Sequence, residues 1–319
     1  MTGDASEPVW SVGRGRTLDL APGRLPHLMA VVNCTPDSFS DGGAHADAAA
    51  AAAHAERCAE AGATLLDVGG ESTRPGAAPV DGLEQIRRTR SVVAALAGRT
   101  KALISIDTTR AEVAAAALAA GADVVNDQSA GRDDPDVLAV VAASGSGMIL
   151  MHRPEPPAAD SYSDRYQQAP RYRDVVEDVK AFLASRVDAA VKEGIPPSRL
   201  AVDPGFGFGK DVVQNFRLLA GLHRLRSLGL PIVVGLSRKS FLGAVAGIRD
   251  PALRVHPSVA AAIVAVMQGA AVVRVHDVAA HAEAMSVLRA LQAATAAPPS
   301  EPPAGMARAT IPAPDEAAG

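Results

Sequence analysis

Eight short runs rich in Val, Ile and Leu punctuate the chain: LMAVVN (28–33), TLLDVGG (64–70), ALISID (102–107), DVVND (123–127), GMILMH (147–152), RLAVDPG (199–205), PIVVGLS (231–237) and AAVVRVHD (270–277). None alternates cleanly between polar and apolar, which predicts parallel strands covered on both faces. Ala-rich segments with helical spacing lie between them, including 44–61, 83–96, 111–120, 175–193, 214–228 and 257–268. Gly62, Gly98, Gly121, Gly194 and Gly229 fall just past these segments, where a left-handed cap is expected.

Strand and helix repeated eight times predict a single (β/α)8 TIM barrel over 25–296, with a doubly wound open sheet as the alternative. The placement of polar residues favours the barrel. They cluster directly after the last apolar residue of nearly every run: Asn33, Glu71 to Pro75, Asp107, Asn126, His152, Asp203, Ser237 to Lys239, and Arg274 to Asp277. In a barrel all eight carboxyl ends open on one mouth, whereas an open sheet gathers only the loops at its switch point. Residues 1–24 are expected to form a short N-terminal extension, a small hairpin plugging the amino end. The Pro/Ala-rich stretch 297–319 has no aromatics and is expected to be a disordered C-terminal tail.

Composition narrows the partners. Net charge is −4 and Lys and Arg form no runs, so neither nucleic acid nor a membrane surface is indicated. The N-terminus carries an early acid and no apolar core, and the most apolar window, 259–275, is broken by Gln268 and Gly269. A soluble cytoplasmic protein is expected. Cys34 and Cys58 match no metal-ligand spacing and read as free thiols.

The stretch AVDPGFGFGK (201–210) fails as a nucleotide loop: Asp211 follows the lysine, and Lys210 stands where a dinucleotide fingerprint needs glycine. Aromatic residues are only 3% of the chain, yet four of the six Phe (39, 206, 208 and 241) fall in loops after strands. Aromatic faces beside Asp203 suit a flat heterocycle bearing N–H donors. Asp107 and Asn126, at other strand ends, suit the same donor-rich ligand, although Asp107 could instead cap a helix beginning near Arg110 and Asn126 could brace a loop. Arg274 and His276, two apart on one strand, point to one side and suit a phosphate at the end of the last strand. The loops 33–43 and 69–77, around Phe39, Asp41 and Arg74, have the composition of lids.

These motifs carry a resemblance. NCTPDSFSDGG, DVGGESTRPGA, SIDTTR, VND, DPGFGFGK, GLSRKSFLG and QGAAVVRVHDV stand in the order and spacing of the dihydropteroate synthase family, from about Leu28 to Leu291. The resemblance implies an enzyme of folate synthesis that condenses 6-hydroxymethyl-7,8-dihydropterin diphosphate with 4-aminobenzoate, giving 7,8-dihydropteroate and diphosphate. It implies that Asp107, Asn126, Asp203, Phe208 and Lys239 read the pterin. Asn33, Thr73, Arg274 and His276 would hold the diphosphate, with Asn33 also at a Mg2+ ion. Phe39, Thr73, Arg74, Pro75 and Ser237 would form the 4-aminobenzoate pocket. Asp107, Lys239, Arg274 and His276 would carry the catalysis, and an Asp41–Arg74 ion pair would latch the two lids. A homodimer is the family precedent.

Two alternatives keep the barrel but change the function: a pterin-binding methyltransferase domain, and a non-catalytic pterin-binding paralogue. The SRKSF loop with RVH argues against the first, and the retained Lys239, Arg274 and His276 argue against the second. The sequence departs from the family in RPEPP after His152, in Gln128 after VND, and in RVHPS upstream of the final helix.

Overall fold

The computed structural model describes residues 9–20, 25–34 and 43–296. Ten strands and nine α-helices are described. A hairpin, β1 (Val9–Ser11) and β2 (Thr17–Asp19), precedes β3 (His27–Asn33). Then follow α1 (Gly43–Glu60), β4 (Leu65–Gly69), α2 (Gly82–Ala97), β5 (Leu103–Asp107), α3 (Ala111–Ala120), β6 (Val124–Asp127), α4 (Asp136–Ser144) and β7 (Gly147–Met151). The chain continues as α5 (Val175–Lys192), β8 (Leu200–Asp203), α6 (Val212–Ala220), β9 (Val233–Val234), α7 (Ser240–Ala246), α8 (Val255–Met267), β10 (Val272–Val275) and α9 (Val278–Ala296).

Eight parallel strands hydrogen-bond in the order β8-β7-β6-β5-β4-β3-β10-β9. A parallel bridge from Val202 to Ile232 joins the two ends, with Val202 N–H donating to the Pro231 carbonyl at 2.9 Å. The sheet therefore closes into a barrel, and the open-sheet alternative falls. The period of two along each strand then divides the molecule radially. One set of side chains, among them Leu66, Ile104, Val125, Met148, Val202 and Val273, faces outward and packs under the helices. The other set faces in. Met29, Leu65, Leu103, Val124, Ile149, Ala201, Val233 and Val272 meet Trp10, Val12 and Leu18 of the hairpin in a separate apolar cluster. The hairpin closes the amino end, anchored by Trp10 Nε1 donating to the Arg199 carbonyl at 2.9 Å.

Two residues further along the strands, the interior turns polar, with Asp67, Ser105, Asn126, Asp203 and Arg274 in place of aliphatics. Apolar at the amino end and charged at the carboxyl end, the strand interiors alone give the barrel its direction.

Some local details differ from expectation. The helix expected over 214–228 stops at Gly221, where a Cβ would lie 2.7 Å from Val176 Cγ2, and continues as a 3-10 stretch over Leu222–Leu228. Gly98 ends α2 with φ −101° rather than in the left-handed region. Helices α4, α7 and α9 are not among the segments named from the pattern; α4 and α7 are short and apolar nearly all round. Residues 297–319 lie outside the described residues.

Candidate active site

The floor of the barrel mouth is one hydrogen-bonded network. Arg274 on β10 crosses the interior. Its Nε donates to Asp67 Oδ2 on β4 at 2.6 Å and its Nη2 to Asp107 Oδ2 on β5 at 2.9 Å. Asn126 on β6 donates to the same Asp67 oxygen at 3.1 Å, and Gln128 donates to Asp107 Oδ1 at 2.8 Å. Asp67 is fully buried, and its other oxygen, Oδ1, has no hydrogen-bond partner. Two carboxylates around one guanidinium leave an excess of negative charge in a poorly solvated space. Burial, reinforced by Asp67, pushes the Asp107 carboxyl up to about 7 against the opposing pull of Arg274.

The glycine-rich stretch after β8 forms a second wall. Asp203 Oδ1 accepts from Gly205 N–H at 2.7 Å, and burial raises its carboxyl to about 6. The alternating glycines have a steric cause. Gly205 has φ +67°, and a Cβ there would lie 1.9 Å from the His152 carbonyl oxygen. Gly207 has φ +80°, and a Cβ would lie 2.9 Å from Lys239 Cδ. The Lys239 stem thus runs across bare backbone, which sets its Nζ 4.1 Å from the centre of the Phe208 ring. Burial, with Arg274 nearby, lowers Lys239 to about 8. Lys210 faces the other way. Its fully buried Nζ donates to the carbonyls of Gly205 and Phe208, each at 2.9 Å, and lies 3.0 Å from His152 Nδ1. Lys210 braces the loop from behind. Asp211 then ends the loop by capping α6 in a reciprocal pair with Gln214.

On the third side His276 meets Ser237, with Nδ1 and Oγ 3.0 Å apart. Burial and the adjacent Arg274 hold the imidazole down at about 3, so it is neutral. Arg238 also lines this side and pairs with Asp277.

These walls enclose a cleft of about 530 Å³ lined by Asn33, Thr73, Arg74, Pro75, Asp107, Phe208, Ser237, Lys239, Arg274 and His276. Ten sequence-predicted residues from six strand ends therefore share one cavity. Asn126 and Asp203 are buried at strand ends beside it and reach it through Asp67 and through the field felt by Lys239 and Arg274. Phe39 and Asp41, and with them the Asp41–Arg74 latch, lie outside the described residues. Phe206 and Phe241 do not face the cleft; they stack on each other at 6.4 Å within the outer core. Asp107 does not cap α3, whose first N–H is taken by Asp134. Burial pushes the Cys34 thiol up to about 12.

Three contributors were missed. Asp67 sits inside an apolar run, where a lone acid in an inward register was the available signal. Gln128 stood out only as a departure. Tyr162 comes from the long segment after β7 and lines the cleft. That segment is pinned by Ser163 N–H to Ser240 Oγ at 3.1 Å and by Gly76 N–H to the Pro157 carbonyl at 2.9 Å. A separate depression of about 590 Å³ lies at the amino end, between the hairpin and Arg99 to Leu103, and holds none of the predicted site residues.

Comparison with known proteins agrees with this geometry. The family described as pterin binding enzyme matches residues 29–276. The chain is 42% identical over 277 residues to the dihydropteroate synthase of Escherichia coli (strain K12), covering 87% of this chain and 94% of that one. It is 43% identical over 278 residues to that of Mycobacterium leprae (strain TN), covering 86% and 95%. Among solved structures, Xanthomonas albilineans dihydropteroate synthase with 4-aminobenzoic acid superposes with a TM-score of 0.82 at 46% identity, covering 92% of this chain and all of that one. The same enzyme in complex with 7,8-dihydropteroate gives 0.78 at 45% identity, covering 89% and 98%. With six strand ends supplying the predicted residues of one cleft, and these relatives matching nearly end to end, the chain belongs to the pterin-binding enzymes as a dihydropteroate synthase.

Proposed function

We propose that the cleft joins 6-hydroxymethyl-7,8-dihydropterin diphosphate to 4-aminobenzoate, releasing diphosphate. The convergence of Asp107, Lys239, Arg274 and His276 on one cavity carries this reading. The pterin lies flat beside Phe208, its ring under Lys239. Its amino-pyrimidine edge donates to Asp203, with Asp107 and Asn126 completing the recognition, since carboxylates and an amide oxygen accept from ring N–H groups. Thr73, Arg274 and neutral His276 receive the diphosphate, His276 as a donor through its free ring nitrogen. Arg74, Pro75, Ser237 and Phe39 hold 4-aminobenzoate so that its amine faces the pterin methylene.

The reaction needs no covalent nucleophile. The amine lone pair forms the C–N bond as the methylene C–O bond breaks, the bonding electrons leave with diphosphate, and the amine loses one proton. What this chain supplies is alignment of the two reactants and positive charge where negative charge develops. The retained lysine, arginine and histidine place it among the catalysts rather than among non-catalytic pterin binders. Asn33 lines the cleft and would offer its amide oxygen to a cation at the diphosphate end, and the described residues hold no cluster of three or more His, Cys, Asp or Glu that could hold a metal ion. That donor set fits a Mg2+ ion carried in with the diphosphate, which would neutralise the leaving group's charge.

A homodimer is also proposed. Val264 and Met267 on α8 and Val287 and Leu291 on α9 are exposed, forming an apolar face suited to a second copy. Cytoplasmic residence is proposed from the same sequence signals. Among the described residues, no helix is long and apolar enough to cross a membrane.

The test is a diphosphate-release assay on purified protein. Release requiring both substrates is the expected result; release with the pterin alone, or none, refutes the assignment.

A further inference from the structure

The segment after β6 is built around Asp127, which is fully buried. Its Oδ1 accepts from Ser129 N–H at 2.7 Å and from the Ser129 hydroxyl at 2.8 Å, and its Oδ2 accepts from Gly131 N–H at 2.6 Å. Ala130 is held at φ +55° within the same turn. Gln128 therefore leaves a rigid backbone. Its buried side chain reaches across to β5 and donates Nε2–H to Asp107 Oδ1 at 2.8 Å. The Oε1 of that amide is buried with no hydrogen-bond partner. An unsatisfied buried carbonyl is costly, and an apolar side chain of similar volume would avoid that cost. What the amide adds in return is one aimed N–H.

Asp107 otherwise sits in a divided field. Asp67 on β4 and Glu71 just after it disfavour its charge, while Arg274 on β10 favours it. Lys239 after β9 and Asp203 on β8 act on the same guanidinium and carboxylate cluster. Gln128 takes one carboxylate oxygen and Arg274 the other, which fixes the plane of the group.

We propose that Gln128 is a positioning residue for Asp107: its amide N–H holds the carboxylate against the Arg274 guanidinium and favours the anion over the acid at the floor of the cleft. It acts through Asp107 and does not itself line the cavity. The inference rests on the reading above only for its kinetic readout.

The experiment uses the full chain labelled at the aspartate carboxyl carbon, with Asp107→Asn identifying the resonance. Asp107 is expected to titrate at about 7 in the parent protein. In Gln128→Met its midpoint should rise by about one unit, because a hydrogen bond to the charged form has been removed. Gln128→Glu, which keeps the shape and adds a negative charge, should raise it further. In kinetics, the acid limb of kcat/KM for the pterin diphosphate, which reports the free enzyme, should shift upward with the same midpoint. Gln128→Met should lose roughly five- to tenfold near pH 7 and recover above pH 9, with KM for 4-aminobenzoate unchanged. An unmoved Asp107 resonance in both variants, or activity lost equally at every pH, overturns the proposal. A shifted resonance in a parent protein that releases no diphosphate would sink the functional assignment and leave this positioning role standing.

Discussion

Arg274→Met puts the floor network under a quantitative test. The guanidinium is partnered by Asp67 at 2.6 Å and Asp107 at 2.9 Å, with the two carboxylates 0% and 8% exposed. Removing one member of a buried ionic set leaves uncompensated charge and costs about 3–5 kcal/mol. Unfolding entropy of about 2.1 cal/mol/K per residue over a chain of this length makes 1 kcal/mol worth roughly 1.5 °C in Tm, so the expected drop is roughly 5–7 °C. The pH dependence separates this cause from simple loss of packing. Asp107 titrates near 7 in the folded protein, above its unfolded value of about 3.9. An acid raised in this way holds its proton more tightly when folded, so its contribution to stability is lost as pH rises through that window. Without Arg274, which lowers it, Asp107 rises further. The deficit should widen between pH 5 and pH 8 by about 1 kcal/mol for a one-unit rise, levelling off near about 1.4 kcal/mol for larger rises because the parent carboxyl itself titrates inside this range. Thermal melts of both proteins at the two pH values read this directly. An equal deficit at pH 5 and pH 8 would refute the charge argument, and no deficit would refute the network.

Other expectations address separate parts of the structure. Gly207→Ala forces a Cβ into the Lys239 stem at a positive φ, and should raise KM for the pterin diphosphate about tenfold or more while leaving KM for 4-aminobenzoate within about twofold, as steady-state kinetics will show. Lys210 is a base lowered by burial to about 7, so the unfolded chain binds the extra proton and its contribution to stability rises with pH from about 7 to about 10. Lys210→Met should remove that slope in denaturant titrations across this range. Trp10→Ala should cost about 3–5 kcal/mol in the same titrations, because it empties the plug at the amino end. Its diphosphate-release rate at 25 °C should be unchanged, since the chemistry occupies the opposite end.

The barrel was legible because its strands are covered on both faces and end in polar residues, a combination that the open sheet does not require. Most of the cleft was legible for the same reason: Asp107, Lys239, Arg274 and His276 stand where apolar runs stop. Asp67 was hidden because burial inside the barrel makes a charged residue look like an interruption in a strand, and only the register to Arg274 gives it a purpose. Phe206 and Phe208 are two residues apart, yet only Phe208 faces the cleft; the positive φ at Gly205, Gly207 and Gly209 breaks the periodicity that would have told them apart. The role of Lys210 was equally invisible, since its three partners are a histidine from another strand and two carbonyls of its own loop.

A crystal structure with 6-hydroxymethyl-7,8-dihydropterin diphosphate bound tests the central claim most directly. The account predicts the amino-pyrimidine edge on Asp203 and Asn126, the ring against Phe208 and Lys239, and the diphosphate at Arg274 and His276. A ligand seated with its diphosphate away from Arg274, or bound outside this mouth of the barrel, would contradict it.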